Sequence, residues 1–119
     1  MNQSFPKSAR LLKQGEFDAV YQGDAFAADG TLVIKAVLNG KGETRLGLSV
    51  SKKVGNAVVR NRWKRLIREG FRTQRNELPK GLDLVVRPKK GAVCDGRAIA
   101  LSISKLVARL DRRLRRNSS

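Results

Sequence analysis

Histidine is absent from this 119-residue chain, and cysteine occurs once, as Cys94. The first absence removes imidazole as general base, nucleophile partner or metal ligand. It excludes a histidine-dependent triad and a mixed Cys/His zinc site within the chain. The second excludes an internal disulfide and a multi-cysteine metal cage. Wholly apolar runs reach only about four residues, far below the ~20 needed to span a bilayer. Acids are scarce as well, 10 Asp+Glu against 26 Lys+Arg. They are scattered singly, and Glu16 and Asp18, two apart on a helix, point to different sides. A nuclease working through metal ions would need several carboxylates converging on one site. An autonomous active site is therefore not expected, and Cys94, without a histidine partner, reads as an inert thiol.

What is present is positive charge, a formal net +16 at pH 7. The length suits one domain, here residues 1–119, and a hydrophobic fraction of 40% is too high for a fully disordered chain. Residues 117–119 read as a disordered tail. So large a charge on so small a domain repels itself and calls for a polyanion, either nucleic acid or an anionic membrane surface. The opening Met1-Asn2-Gln3-Ser4-Phe5-Pro6 has no apolar signal-peptide core, so a cytoplasmic nucleic-acid-binding domain is expected.

Four regions can be read along the chain. Leu11 to Gln22 reads as a short helix set by Leu12, Phe17, Val20 and Tyr21, with Gly23 as its stop. Thr31 to Ser51 reads as a β-hairpin. Its first strand is Thr31 to Leu38, its turn Asn39-Gly40-Lys41-Gly42, and its second strand Arg45 to Ser51. In that second strand Leu46, Leu48 and Val50 face one way, while the small Gly47, Ser49 and Ser51 leave an open face for a ligand or for water.

Asn56 to Asn76 predicts an amphipathic helix about 31 Å long. Advanced at 100° per residue, Val59, Trp63, Leu66, Ile67, Gly70 and Phe71 fall in one arc. Asn61, Lys64, Arg65, Arg68, Arg72 and Arg75 fall in another, with Arg60 and Arg62 near the borders. Leu82 to Val86, apolar but for Asp83, reads as a strand halted by Pro88. Asp95 is a plausible N-cap for a last helix whose core stripe is Ile99, Ile103, Leu106, Leu110 and Leu114. Arg109, Arg112, Arg113, Arg115 and Arg116 load its end, where cations suit the helix dipole. Helix, strands, long helix, strand, helix make an α+β or α/β sandwich with helices laid on a small sheet.

The basic helix has a plain reading as a solvated face. Such faces mix signs at i, i+4 spacing, whereas Arg65, Arg68, Arg72 and Arg75 would repel one another at a few tenths of a kcal/mol per pair. Guanidinium forks grip phosphate bidentately, which favours nucleic acid as the counterweight. No helix-turn-helix, zinc-finger or zipper pattern is visible. Phe17 and Tyr21, one turn apart, fit either stacking on unpaired bases or burial in the core.

The stretch Ser51-Lys52-Lys53-Val54-Gly55-Asn56-Ala57-Val58-Val59-Arg60-Asn61-Arg62-Trp63-Lys64-Arg65-Leu66-Ile67-Arg68-Glu69 resembles the signature of the bacterial ribonuclease P protein component family. The likeness extends to the Leu-Leu-Lys-x-x-x-Phe-x-x-Val-Tyr start, to Arg-Leu-Gly-Leu-Ser-Val-Ser-Lys-Lys and to Asp-Leu-Val-Val-Arg-Pro. Trp63 stands where a smaller aliphatic is usual, and residues 23–30 carry no motif.

The resemblance implies a two-layer α/β sandwich like the second domain of ribosomal protein S-five. Its small mixed sheet has an αβββαβα order, with the basic helix as a left-handed crossover between parallel strands. It also implies an RNA-binding cofactor of a holoenzyme that removes the 5′ leader of precursor tRNA, with one protein per catalytic RNA. The catalytic groups and Mg2+ would belong to the RNA, so that no residue here is catalytic or holds metal. By the same resemblance Arg60, Asn61, Arg62, Lys64, Arg65, Arg68 and Arg72 would meet the catalytic RNA. Phe17 and Tyr21 would stack leader bases, with Lys52 and Lys53 charging the rim. Two rivals stand beside this reading: a ribosomal or other structural RNA binder without a role in cleavage, and a metal-dependent nuclease acting alone.

Overall fold

In the computed structural model, residues 9–11 and 13–117 are described. Helix α1 spans Gln14–Gln22, strand β1 Phe26–Ala28, β2 Leu32–Leu38 and β3 Arg45–Leu48. A single 3-10 turn, Lys52–Val54, leads into helix α2, Ala57–Thr73. A second such turn, Arg75–Glu77, precedes β4, Leu82–Pro88, and helix α3, Gly96–Asn117, follows. The sheet order is β1-β2-β4-β3, with β3 and β4 parallel and the other pairs antiparallel. This is the mixed α/β sandwich expected, with α2 as the crossover between the two parallel strands. Leu12 lies outside the described residues, as do positions 118 and 119 of the expected tail, whereas Asn117 closes α3.

The 31–51 hairpin does not form. Its two strands exist, but β4 lies between them and pairs with both. The reason is hydrophobic continuity. Leu82 to Val86 is buried at every position, the pattern of a central strand covered on both faces, and such a strand also needs ladder partners on both sides. Asn39 helps hold the loop open over the start of β4. Its Nδ2 donates to the Glu43 carbonyl (3.0 Å) and to Asp83 Oδ1 (2.8 Å), while its backbone N–H donates to the Gly81 carbonyl (2.9 Å). The second strand also stops at Leu48 rather than Ser51, and Pro88 is included in β4 instead of halting it earlier. The missing Pro88 donor costs little because β3 has already ended opposite Val86.

Two further expectations shift. α1 begins at Gln14, because the Leu11 N–H donates to the Leu46 carbonyl (3.0 Å) and Arg10 bridges in parallel to Leu46. α2 ends at Thr73, so Arg75 stands in the following turn and not on the helical stripe. Asn56 caps α2 by accepting from the Val59 N–H (3.0 Å), and Asp95 caps α3 as its position suggested, accepting from the Ala98 N–H (2.9 Å).

One sheet face carries Leu32, Ile34, Ala36, Leu46, Leu82, Leu84 and Val86 against Trp63, Ile67 and Phe71 of α2 and Ile99, Ile103, Leu106 and Leu110 of α3. Gly70 permits the close packing of the two helices, since a Cβ there would sit 3.3 Å from Ala100 Cα. On the opposite face α1 covers only part of the sheet, through Val20 and Phe17 against Leu11, Val37 and Val85.

Asp83, the one acid in the central strand, is held by Arg45 of β3. Nε meets Oδ1 at 2.8 Å and Nη2 meets Oδ2 at 2.6 Å, while Arg45 Nη1 reaches Glu16 of α1 at 2.8 Å. These bonds, those to Asp83 above all, raise the Arg45 pKa and hold the guanidinium charged despite its burial. Asp29, in the β1–β2 turn, is similarly tied down. Burial pushes its carboxyl upward. Hydrogen bonds from the Ser102 hydroxyl, the Leu32 and Thr31 N–H groups and Lys105 outweigh that and bring it to about 2. Asp83→Ala should leave Arg45 buried with half its partners and cost about 3 kcal/mol of stability. A urea unfolding curve checks this, and a loss below about 1 kcal/mol would mean that water screens the pair.

Candidate RNA interface

The crossover fixes what α2 can present. Trp63, Ile67, Gly70 and Phe71 are buried, which turns the opposite side of the helix outward. On that side Asn61, Arg62, Arg65 and Arg68 are exposed and Lys64 is half-buried. Among the described residues no carboxylate pairs with Arg62, Lys64, Arg65 or Arg68. The rest of the expected set is partly engaged. Arg60 Nε donates to the Gly55 carbonyl (3.3 Å), Arg72 is paired with Glu69 one turn before it, and Arg75 Nη2 meets Glu43 at 3.2 Å. The row of four repelling arginines is thus shorter than the helical wheel suggested. Two of the four have carboxylate neighbours, and the unneutralised centre is Lys64, Arg65 and Arg68, with Arg62 to the side.

Lys64 and Arg68 look onto a shallow cleft of about 250 Å³ at the β3 edge, whose other walls are Arg10, Leu11, Phe17, Leu46 and Leu48. Phe17 is therefore at the same cleft as the α2 cations. It is half-buried and packs against Gly47: a Cβ built there would meet the Phe17 ring at 2.7 and 2.9 Å and Leu11 Cδ1 at 3.1 Å. The small residue at position 47 thus accommodates the protein's own aromatic ring and leaves no room for a ligand at that point; of the open face expected over Gly47, Ser49 and Ser51, Ser49 is half-buried and Ser51 exposed.

Tyr21 is separate from Phe17 in its surroundings. It is 43% exposed, its carbonyl accepts from Lys35 Nζ (3.1 Å), and that ammonium lies 5.9 Å from the ring centroid. The open part of the sheet lies beyond it, over β1, β2 and β4. A depression of about 260 Å³ is lined there by Phe26, Ala28, Val33, Lys35, Arg87 and Lys89. Phe26, opposite Lys35 in register, is 53% exposed. None of these cations was singled out from the sequence. The signal was available, since Lys35 is the one charge of β2 and Arg87 the one cation of β4.

Lys52 and Lys53 are exposed on the turn before α2. Lys53 lines a further cavity of about 430 Å³ with Val54, Trp63, Arg87 and the Pro88–Ala92 loop. This cavity lies at the carboxyl ends of the parallel pair β3 and β4, where α2 begins. Cys94 is half-buried beside α2. Burial raises its thiol pKa more than Arg62 and Arg65 lower it, which leaves it protonated and unreactive at neutral pH. Among the described residues no group of three acids or cysteines converges as a metal site.

A sheet with an arginine-rich crossover helix, an aromatic short helix on its other face and unpaired cations at one edge is a specific combination. A family model described as Ribonuclease P matches residues 5–111. The chain belongs to the ribonuclease P protein family. It is 48% identical over 86 residues to the ribonuclease P protein component of Brevibacillus brevis, covering 71% of this chain and 68% of that one. To the ribonuclease P protein component of an Escherichia coli O139:H28 strain it is 44% identical over 105 residues, 87% of each chain. The solved structure of the Staphylococcus aureus RNase P protein superposes with a TM-score of 0.76 at 31% identity, over 87% of this chain and 98% of that one.

As a ribonuclease P protein component, the chain is a subunit of the ribonuclease P holoenzyme and has an RNA partner. Trp63 is buried and helps to line the cavity behind Lys53. Gly47→Ala should force Phe17 off the sheet and cost about 1–3 kcal/mol. Denaturant unfolding reads the loss, and a variant as stable as the parent would mean that the ring moves aside freely.

Proposed function

We propose that this chain is one RNA-binding domain that joins the catalytic RNA of ribonuclease P to the 5′ leader of precursor tRNA in a cytoplasmic ribonucleoprotein, one protein per RNA. Arg60, Asn61, Arg62, Lys64, Arg65, Arg68 and Arg72 form the surface for the catalytic RNA. Phe17, Tyr21, Lys52 and Lys53 serve the leader. The observation that carries this reading is the Lys64–Arg65–Arg68 centre, with both arginines exposed, Lys64 half-buried and no carboxylate paired with it among the described residues, on a helix whose other side is locked in the core. Holding three such cations together is unfavourable until phosphates are brought up to them, and binding then releases counterions.

The cleft at the β3 edge joins the two surfaces, because Phe17 and the pair Lys64 and Arg68 share it. An unpaired base can stack on a half-exposed ring while cations on the same walls hold its phosphates, with little preference for sequence. The open sheet beside Tyr21 and Phe26 offers a continuation for the same strand, its rim charged by Lys35, Arg87 and Lys89.

Magnesium, implied for the holoenzyme, finds no ligand set among the described residues. Asp83 is committed to Arg45 and Asn39, and Asp29 to Ser102, Lys105 and two backbone N–H groups. The family resemblance assigns metal and chemical step to the RNA, and the protein contributes charge, stacking surface and register. A structural RNA binder without a role in cleavage would share the charge but has no need of an aromatic cleft that joins its cationic helix.

Two measurements test this. Arg65→Gln with Arg68→Gln should lower the log–log salt slope of catalytic-RNA binding by about two, one per lost phosphate contact. An unchanged slope would remove α2 from the interface. Phe17→Ala should weaken holoenzyme binding of precursor tRNA more than of mature tRNA. Equal loss for both would return Phe17 to a purely structural role.

A further inference from the structure

Helix α3 carries a second concentration of cations that the α2 surface does not use. Five arginines fall between positions 109 and 116 against one acid, Asp111. Helix-dipole stabilisation accounts for cations in the final turn only, because the effect fades beyond it. Internal contacts engage Arg113 as well as Arg115 of that final turn. Arg113 Nη1 donates to the Phe26 carbonyl (3.0 Å), and Arg115 pairs with Asp111 (2.8 Å) and donates to the Lys80 carbonyl.

Arg109 and Arg112 remain exposed, and among the described residues neither meets a carboxylate. With Lys105 and Arg116 they stand at i, i+4, i+7 and i+11, within about 60° of helix surface and along about 16 Å. Lys105 is 57% exposed, its ammonium 3.4 Å from Asp29. The opposite side of the helix is the core stripe of Ile99, Ile103, Leu106 and Leu110.

The ridge lies at the other edge of the sheet from the α2 cleft. Lys64 and Arg68 adjoin β3, whereas Lys105 contacts the β1–β2 turn and Arg113 contacts β1 itself; β1 and β3 are the two edges. One RNA strand seated in the α2 cleft would have to cross the breadth of the molecule to reach it.

We infer that this ridge is a separate docking surface for a base-paired stem of the catalytic RNA, an inference that rests on the ribonuclease P reading above. The chemistry selects a stem over a single strand. No aromatic side chain lies on the ridge, and Phe26 belongs to the opposite sheet face, so unpaired bases have nothing to stack on. A straight row of guanidinium and ammonium groups instead matches the phosphates of an A-form helix, which proteins recognise by backbone and shape. It also disfavours a membrane. A membrane-surface helix must offer its apolar side to lipid, and the apolar side of α3 is consumed by the core.

The test compares wild-type protein, R109Q/R112Q and R65Q/R68Q, each assembled with transcribed catalytic RNA. Arg109 and Arg112 are surface residues and Gln keeps helix propensity, so the fold should persist, as far-UV circular dichroism can verify. R109Q/R112Q should lower the salt slope of RNA binding by about two and abolish hydroxyl-radical protection over a stem whose protection R65Q/R68Q leaves intact. An unchanged slope and footprint would overturn the inference. So would a loss confined to precursor-tRNA affinity, or a loss of binding to anionic phosphatidylserine vesicles with RNA binding unaltered. The two readings fail separately: unaltered binding by R65Q/R68Q removes α2 from the interface, and unaltered binding by R109Q/R112Q removes α3.

Discussion

The parallel pairing of β3 with β4 is the constraint from which the rest of the molecule follows. Two parallel neighbours cannot be joined by a tight turn, so the chain must leave the sheet and return, and α2 is the excursion. An excursion of this kind can be buried on one side only. The apolar arc from Trp63 to Phe71 meets the sheet and α3, which leaves the arc of Asn61, Lys64, Arg65 and Arg68 for solvent or a partner. The same pairing puts β3 at an edge. Lys64 and Arg68 of α2, Arg10, Leu11 and Phe17 therefore converge on one cleft although more than fifty positions separate their extremes.

Charge is divided by location. Many of the few acids are spent on the protein's own construction. Asp83 and Glu16 hold Arg45, Asp29 anchors the β1–β2 turn to α3, and Glu43, Glu69 and Asp111 meet Arg75, Arg72 and Arg115. Among the described residues, Arg62, Lys64, Arg65 and Arg68 on α2 and Arg109 and Arg112 on α3 meet no carboxylate, and all but Lys64 are exposed. A net +16 spread evenly would serve solubility; here the cations are densest on α2 and along α3. Desolvating the structural pairs makes them sensitive to loss of a partner, whereas the exposed groups act through screened, salt-dependent attraction to polyanions.

Legibility in the sequence followed the strength of the local signal. α2 and α3 were readable because an apolar stripe recurs at the helical period over many turns and a capping side chain marks the start of each. β4 was readable as an apolar run bounded by Gly81 and Pro88. β1 left no trace, since Ala25-Phe26-Ala27-Ala28 has neither alternation nor β-branching and its three residues gain strand geometry only by pairing with β2. The hairpin misreading has the same origin. Asn39 to Gly42 has the composition of a hairpin turn, and only the competition between strands for the central place decided that β4 would separate β2 from β3. Gly47 is the sharpest case, for nothing local distinguishes a glycine that leaves room for a ligand from one that makes room for Phe17.

By its residues alone this chain was readable as a small α+β unit with a cationic helix, no imidazole chemistry and a need for a polyanion. Those properties depend on composition and on periodicities along one element, which survive any choice of neighbours. The order of the strands, the meeting of Phe17 with Lys64 and Arg68, the pairing of Arg75 with Glu43 and the separation of the α2 and α3 cations to opposite edges were settled by tertiary packing. Each joins groups distant in sequence, through burial energies that exist only once the sheet has closed its core.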